Sequence, residues 1–191
     1  MNVISIHQPN FMPWYPFFQK IADADIFVLL NNCQYEKGGY QNRFNMNSRW
    51  YTMGVNKSLD SISEKKYTNA YDDWVAIKRR LPEYSFILDN FDDCISESLV
   101  HTNNSIIYKI VRMLNIDTKI EIDFPTDKVA TKRLVELCKF YDGDVYISGI
   151  SGPNYMETEM FDRENISIKI QEDDSSTKVP ILKYLKDNVY V

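Results

Sequence analysis

The first group of side chains suited to chemistry follows a short apolar run at residues 3–6. His7 comes directly after that run, and the near-neutral pKa of an ordinary imidazole makes it the side chain best suited to proton transfer. Pro9 ends the predicted strand, and Pro13 favours the first turn of a helix, where free N–H groups attract phosphate. We therefore predict a site here, with His7 as its general base. The predicted ligand contacts of this segment are Gln8, Asn10 and Trp14.

A second polar cluster occupies residues 31–43, after an uninterrupted apolar run at residues 26–30. It is rich in amide groups and carries a guanidinium, and loops of this kind commonly hold binding residues. Arg43 is predicted to bind a phosphate or a carboxylate, since a guanidinium holds either with two hydrogen bonds. The predicted contacts of this loop are Gln34, Tyr35, Asn42 and Arg43.

A third cluster follows the apolar run at residues 145–147, where two glycines allow a close approach of the backbone to a ligand. Its predicted contacts are Ser148, Gly149 and Tyr155. Structural explanations stay open beside these functional ones. His7 can be a buried histidine at a strand end, and Arg43 can pair with a surface carboxylate. Asn103 and Asn104 are explained as helix caps.

The elements that must position these clusters alternate between strand-length apolar runs and amphipathic stretches of helix length. Strands are predicted at about 3–6, 26–30, 119–123, 145–148 and 167–170, with a further one at 50–55. Helices are predicted at about 14–22, 72–80, 83–93, 103–114, 126–141 and 180–186, the fourth capped by Thr102 or Asn103 and the fifth by Thr126. The alternation predicts an α/β fold with a mainly parallel sheet, flanking helices and a Rossmann-like N-terminal unit. Residues 1–191 are predicted to form one domain, with a helical subregion at about 70–115.

Composition narrows the classes of function. The chain has 191 residues and a formal net charge of -5, which gives no electrostatic case for binding nucleic acid. Three cysteines without metal-type spacing favour a reducing compartment over a disulfide framework. No signal peptide and no apolar stretch of about 20 residues is found, so we expect a cytoplasmic protein without membrane insertion. A homo-oligomer is left open.

Several segments resemble the WbqC-like protein family, namely residues 6–14, 24–28, 34–43, 104–106 and 146–156. The resemblance spans nearly the whole chain and is most specific in the first 43 residues. It implies a bacterial cytoplasmic protein encoded among surface-polysaccharide genes, those for O-antigen and lipopolysaccharide in particular. It also implies transfer of glycine, or another acyl group, to the amine of a nucleotide-linked amino sugar.

The sequence departs from the family pattern at a few positions. Asn31 and Asn32 stand where the family usually has two aspartates, and Lys183 stands where an aspartate is common. The C-terminal segment is also shorter than is usual in the family. Loss of the two carboxylates removes candidate metal ligands or a general base, so no metal site is predicted.

A looser resemblance links the N-terminal unit to nucleotidylyltransferase-type Rossmann proteins, although residues 14–17 replace their His-x-Gly-His motif. The leading prediction is a transferase or amide-forming ligase whose partners are a nucleotide-linked amino sugar and a small acyl donor. Whether ATP or a preactivated acyl donor is used stays open. The alternatives are a non-catalytic nucleotide-sugar-binding or assembly module of the same pathway, and a structural partner in a hetero-oligomer.

Overall fold

A computed structural model describes residues 1–58, 60–172 and 179–190. Its centre is a five-stranded sheet in which every neighbouring pair of strands is parallel. The strands of the described residues are β1 Val3–His7, β2 Ile26–Leu29, β3 Arg43–Met46, β4 Arg49–Thr52, β5 Lys119–Ile122, β6 Val145–Ser148 and β7 Ser167–Ile170. Strands β3 and β4 form a separate antiparallel hairpin. The predicted α/β fold with a mainly parallel sheet is confirmed.

The spatial order of the central sheet is β5-β2-β1-β6-β7. Numbered by their order within this sheet, the strands run 3-2-1-4-5, which is the Rossmann arrangement. The chain therefore winds in one direction from β1 to β5 and in the other direction from β6 to β7. The carboxyl ends of β1 and β6 flank the point of reversal, and doubly wound proteins bind their ligands in the crevice outside it.

The helices of the described residues cover both faces of the sheet. They are α1 Tyr15–Ala22, α2 Ala70–Arg80, α3 Ser85–Leu88, α4 Leu99–Met113, α5 Ala130–Phe140, α6 Glu159–Asp162 and α7 Ile181–Asn188. Phe27 and Leu29 of β2 pack into the larger core with α1 and α4, whereas Val28 between them packs into the core on the α5 and α6 side. Successive side chains of a strand point to opposite faces, so a sheet covered on both faces needs a continuous apolar run.

Several predicted boundaries were wrong. The hairpin of β3 and β4 lies where a polar loop and a strand at 50–55 were expected. Asn47 and Ser48 form its tip with φ of 51° and 60°, and Asn accepts this left-handed backbone more readily than most residues. The segment predicted as a helix at 83–93 is a four-residue helix between two 3₁₀ turns.

Two helix starts also differ from the prediction. Helix α4 begins at Leu99, because the Ser98 side chain accepts a hydrogen bond from the backbone N–H of His101 and caps it. Asn103 therefore lies inside the helix instead of capping it. Helix α5 begins at Ala130, and Thr126 lies four residues before it, where its hydroxyl accepts a hydrogen bond from the backbone N–H of Lys128. In the part of the chain described, no helix is long and apolar enough to cross a bilayer.

Candidate functional site

A cavity of about 1390 Å³ opens at the point where the winding of the sheet reverses. Its walls come from the end of β1, one face of α1, the loop after β2, helix α5 and the loop after β6. Seven of the predicted site residues line it, namely His7, Gln8, Asn10, Trp14, Gln34, Gly149 and Tyr155. The other four do not, namely Tyr35, Asn42, Arg43 and Ser148.

The loop after β1 is held in place from outside the N-terminal unit. Asn103 of α4 is fully buried and donates hydrogen bonds to the carbonyl oxygens of Pro9 and Gln41, both at 2.7 Å. The backbone N–H of Phe11 donates to the carbonyl oxygen of Tyr40 at 2.9 Å. Met12 has a φ of 47°, a backbone conformation that costs energy in a non-glycine residue and needs such bracing.

The Gln8 side chain joins this loop to the polar loop after β2. Its carbonyl oxygen accepts a hydrogen bond from the side-chain amide of Gln41, and its own amide donates to Cys33 Sγ at 3.4 Å. The Cys33 thiol also contacts the carbonyl oxygen of Leu30 at 3.4 Å, and burial raises the pKa of this thiol. Cys33 therefore lines the cavity as a protonated thiol at neutral pH.

The hydrogen bonding of His7 defines which of its two ring nitrogens carries the proton. Its Nδ1 lies 2.9 Å from the carbonyl oxygen of Gln8, which can only accept, so Nδ1 carries the proton and Nε2 the lone pair. Removal from water and the nearby charge of Lys20 lower the pKa of His7 from 6.5 to about 3. The imidazole is therefore neutral at physiological pH, a hydrogen-bond acceptor and a weak base.

Lys20 is a residue of the cavity that sequence reasoning missed. It is only 3% exposed, its Nζ donates to the carbonyl oxygen of Ile6 at 3.0 Å, and burial lowers the pKa of its amine from 10.5 to about 7. A lysine near a helix end usually faces water. The available signal was its spacing, because Lys20 stands three residues after Phe17 and shares its buried helix face.

The start of helix α1 does not provide the phosphate site predicted there. The backbone N–H of Tyr15 donates to the carbonyl oxygen of Val179 at 3.0 Å, and Pro16 has no N–H. The N–H of Phe17 donates to Trp14 at 3.1 Å. A helix start attracts anions only through unpaired N–H groups, and these three positions have none.

Arg43 is a brace within its own loop. Its guanidinium donates to the carbonyl oxygens of Gly39, at 3.1 Å, and of Gly38, and it lies 4.1 Å from the centre of the Trp50 ring. Gly38 has a φ of 82°, which a residue with a side chain rarely adopts. Arg43 thus holds a tight turn, and it is not among the residues that line the cavity.

Tyr35 and Asn42 are likewise bound to each other and to the hairpin. The Tyr35 hydroxyl donates to the side-chain oxygen of Asn42 at 2.9 Å, and the Asn42 amide donates to the carbonyl oxygen of Met53 at 2.7 Å. Ser148 is buried against Met156, with its hydroxyl directed to the carbonyl oxygen of Gly149. These three residues shape the walls of the site from behind.

A buried ion pair supports the loop after β2 at the cavity floor. Asp123 accepts hydrogen bonds from the backbone N–H groups of Asn31 and Asn32, and its other oxygen lies 2.5 Å from Arg133. The backbone N–H groups of Asn31 and Asn32 are thus held by the carboxylate of Asp123, the residue that follows β5. Within the described residues, no group of three or more His, Cys, Asp or Glu side chains is arranged to hold a metal ion.

Comparisons with known proteins agree with the resemblance found in the sequence. The model of the WbqC-like protein family matches residues 8–181. The chain is also 26% identical over 188 residues to the uncharacterized protein Rv1507c of Mycobacterium tuberculosis, with 88% of this chain and 81% of that protein covered. No solved structure gives a significant match.

Proposed function

The chain belongs to the WbqC-like protein family, and from that membership and its cavity we propose that it acylates the amine of a nucleotide-linked amino sugar. The acyl group is glycine or a similarly small unit, and the reaction serves the assembly of a bacterial surface polysaccharide such as O-antigen in the cytoplasm. The observation that carries the proposal is the position of the cavity at the reversal point of a 3-2-1-4-5 sheet.

The size and lining of the cavity support two ligands together. Small-molecule pockets are commonly about 300–1,000 Å³, and this one is about 1390 Å³. Exposed aromatic rings of Trp14 and Tyr155 stand at its margin, where they suit a sugar or a base, while Gln8 and Asn10 offer amides inside. Gly149 has open space beside its backbone, which leaves room for close approach of a ligand.

His7 has the geometry for the proton transfer that this reaction needs. The sugar amine attacks the carbonyl carbon of an activated acyl donor, the C–N bond forms, and the bond to the leaving group breaks. The proton of the amine becomes acidic once the C–N bond has formed, and the free Nε2 of His7 accepts it. The imidazolium, whose pKa is lowered to about 3, gives up its proton readily and passes it on to the leaving group.

The experiment incubates the purified protein with a panel of nucleotide-linked amino sugars, glycine and ATP, or with preactivated glycyl donors, and detects the amide by mass spectrometry. The His7→Ala variant is expected to reduce turnover by about 10²-fold, the lower end of the usual contribution of a general base, because His7 is a weak base. His101→Ala is the matched control, because His101 is an exposed histidine outside the cavity. Equal turnover in both variants would contradict the role of His7.

A non-catalytic binding module is the second candidate, and the weak basicity of His7 favours it. In that case the wild-type protein binds a nucleotide-linked amino sugar and forms no amide with any donor of the panel. The same mixtures, followed by calorimetry and by mass spectrometry, separate the two functions.

A further inference from the structure

Lys20 is a buried amine whose hydrogen-bonding capacity is mostly unused. Its Nζ carries three N–H groups when charged and has one partner among the described residues, the carbonyl oxygen of Ile6. None of the described carboxylates forms an ion pair with it, although it is 3% exposed. Burying an ammonium group without a counter-charge costs free energy, and an anion bound in the cavity would remove that cost.

The charges of the cavity favour an anion in its interior. The two buried charged residues of its lining are both cations, Lys20 and Arg133. The charge of Arg133 is balanced by Asp123, which lies 2.5 Å from its Nη2, and by Glu136, which lies 3.8 Å from its Nη1. The carboxylates among the described lining residues belong to exposed positions, Glu36 and Glu172. Lys20 is therefore the buried charge of the described lining that has no counter-charge, and the exposed charged side chains at the margin are of both signs.

We propose that Lys20 is the anion-binding group of this cavity, and that its two free N–H groups hold an anionic oxygen group of the ligand beside His7. The chemistry required is shared by a phosphate and a carboxylate. The inference rests on the proposed function only for the identity of the anion. Under that function the anion is the pyrophosphate of the nucleotide sugar or the carboxylate of the acyl donor.

Binding of the anion is coupled to protonation of Lys20. Burial lowers the pKa of Lys20 to about 7 when no anion is bound, and an anion at hydrogen-bonding distance raises this pKa. The affinity therefore increases as the pH falls toward about 7 and levels off below it, and binding above that pH takes up a proton. The other ionisable groups of the described lining, tyrosines aside, are His7, Cys33, Glu36, Lys128, Arg133 and Glu172. His7 and Cys33 do not change protonation near neutral pH. The pKa of His7 is lowered to about 3, and the pKa of the Cys33 thiol is raised above its ordinary value.

The test is isothermal titration calorimetry with sulfate, glycine and a panel of nucleoside diphosphate sugars, and proton uptake is measured with sulfate, whose charge does not change near neutral pH. For the wild type we expect uptake of nearly one proton per anion at about pH 8, measured in two buffers of different ionisation enthalpy. Lys20→Met is expected to bind about 10- to 100-fold more weakly, the loss of a charge-assisted hydrogen bond, and to take up no proton. Lys65→Met is the matched control, because Lys65 is 2% exposed, donates to the carbonyl oxygen of Ser58 at 2.5 Å and does not line the cavity.

Lys20→Arg provides a second variant that keeps a charge without titrating near pH 7. It is expected to retain anion binding and to lose the pH dependence. The proposal is overturned if Lys20→Met binds like the Lys65→Met control, if Lys20→Arg keeps the wild-type pH dependence, or if the wild type takes up no proton.

The ligand panel separates this inference from the proposed function. Sulfate binding that depends on Lys20, without binding of any nucleoside diphosphate sugar, supports the anion site and contradicts the proposed function. Binding of a nucleoside diphosphate sugar that is unchanged in Lys20→Met contradicts the anion site and leaves the proposed function standing. Glycine binding that depends on Lys20 identifies the carboxylate of the donor as the anion.

Discussion

Asn103 is expected to be among the costliest polar residues to replace, because it links helix α4 to both loops of the candidate site. Its side chain donates to the carbonyl oxygens of Pro9 and Gln41 and accepts from the Tyr67 hydroxyl at 3.0 Å, all inside the core. Asn103→Ala leaves these buried groups without their partner. Each unsatisfied buried group costs about 1–3 kcal/mol, so we expect a loss of about 3–5 kcal/mol in the free energy of unfolding.

The neighbouring asparagine provides a matched control. Asn104 is also buried and is 8% exposed, yet its side-chain oxygen has no hydrogen-bond partner. Asn104→Ala is therefore expected to cost about 1 kcal/mol or less. Urea unfolding followed by tryptophan fluorescence measures both values. A cost for Asn103→Ala no larger than that for Asn104→Ala would refute the reasoning.

A double-mutant cycle checks that the hydrogen bonds themselves are responsible. Tyr67→Phe removes the hydroxyl that donates to the Asn103 side chain, and the expected cost is about 1 kcal/mol. In the double variant Asn103→Ala with Tyr67→Phe, this loss is already included, so the combined cost is expected to fall short of the sum. Additive costs would show that the two residues act independently.

Three further outcomes are expected. Gly152→Ala destabilises the protein by about 2 kcal/mol or more in urea unfolding, because a Cβ there overlaps the Ser148 hydroxyl, whereas Gly149→Ala, which faces open space, stays within about 0.5 kcal/mol of wild type. Cys33 is expected to be the first of the three free cysteines to react with a thiol reagent, as the other two are buried, and a cavity ligand should slow its labelling. Relative to Lys20→Met, the wild type gains stability as the pH rises from about 7 to about 10, because the unfolded lysine, with its ordinary pKa of 10.5, binds more protons there than the folded one. A flat difference between the two proteins would contradict a buried amine with a lowered pKa.

The strands of the central sheet were predictable because the sheet is covered on both faces. Each of its five strands lies within a predicted segment or extends it by one residue. The hairpin of β3 and β4 was not predicted, although Phe44 and Met46 alternate with exposed or half-buried neighbours before the Asn47-Ser48 turn. Its one-sided pattern is short and lies within a polar stretch, so local periodicity alone is a weak signal there.

The remaining part of the site depends on contacts between residues far apart in sequence. Asn103 and Pro9 are separated by 94 positions, and Asn31 and Asp123 by 92. Local spacing explains an asparagine near a helix start as a cap and identifies no partner for an asparagine after a strand. Only the packing of α4 and β5 against the N-terminal unit shows the actual roles. Asn103 holds the loop after β1, and the backbone N–H of Asn31 donates to Asp123.

The choice between Arg43 and Lys20 as the anion-binding residue also depends on the tertiary structure. The sequence prediction assigned anion binding to Arg43, because it is a guanidinium in a polar loop. Two of its five N–H groups are bonded to the carbonyl oxygens of Gly38 and Gly39, and Arg43 is not among the residues that line the cavity. The buried face of α1 places Lys20 in the cavity with donors to spare. An anion recognised through Lys20, unlike one held by a guanidinium that never loses its charge, binds with an affinity that depends on pH near neutrality. The pH profile of binding therefore discriminates between the two cations without requiring the identity of the substrate.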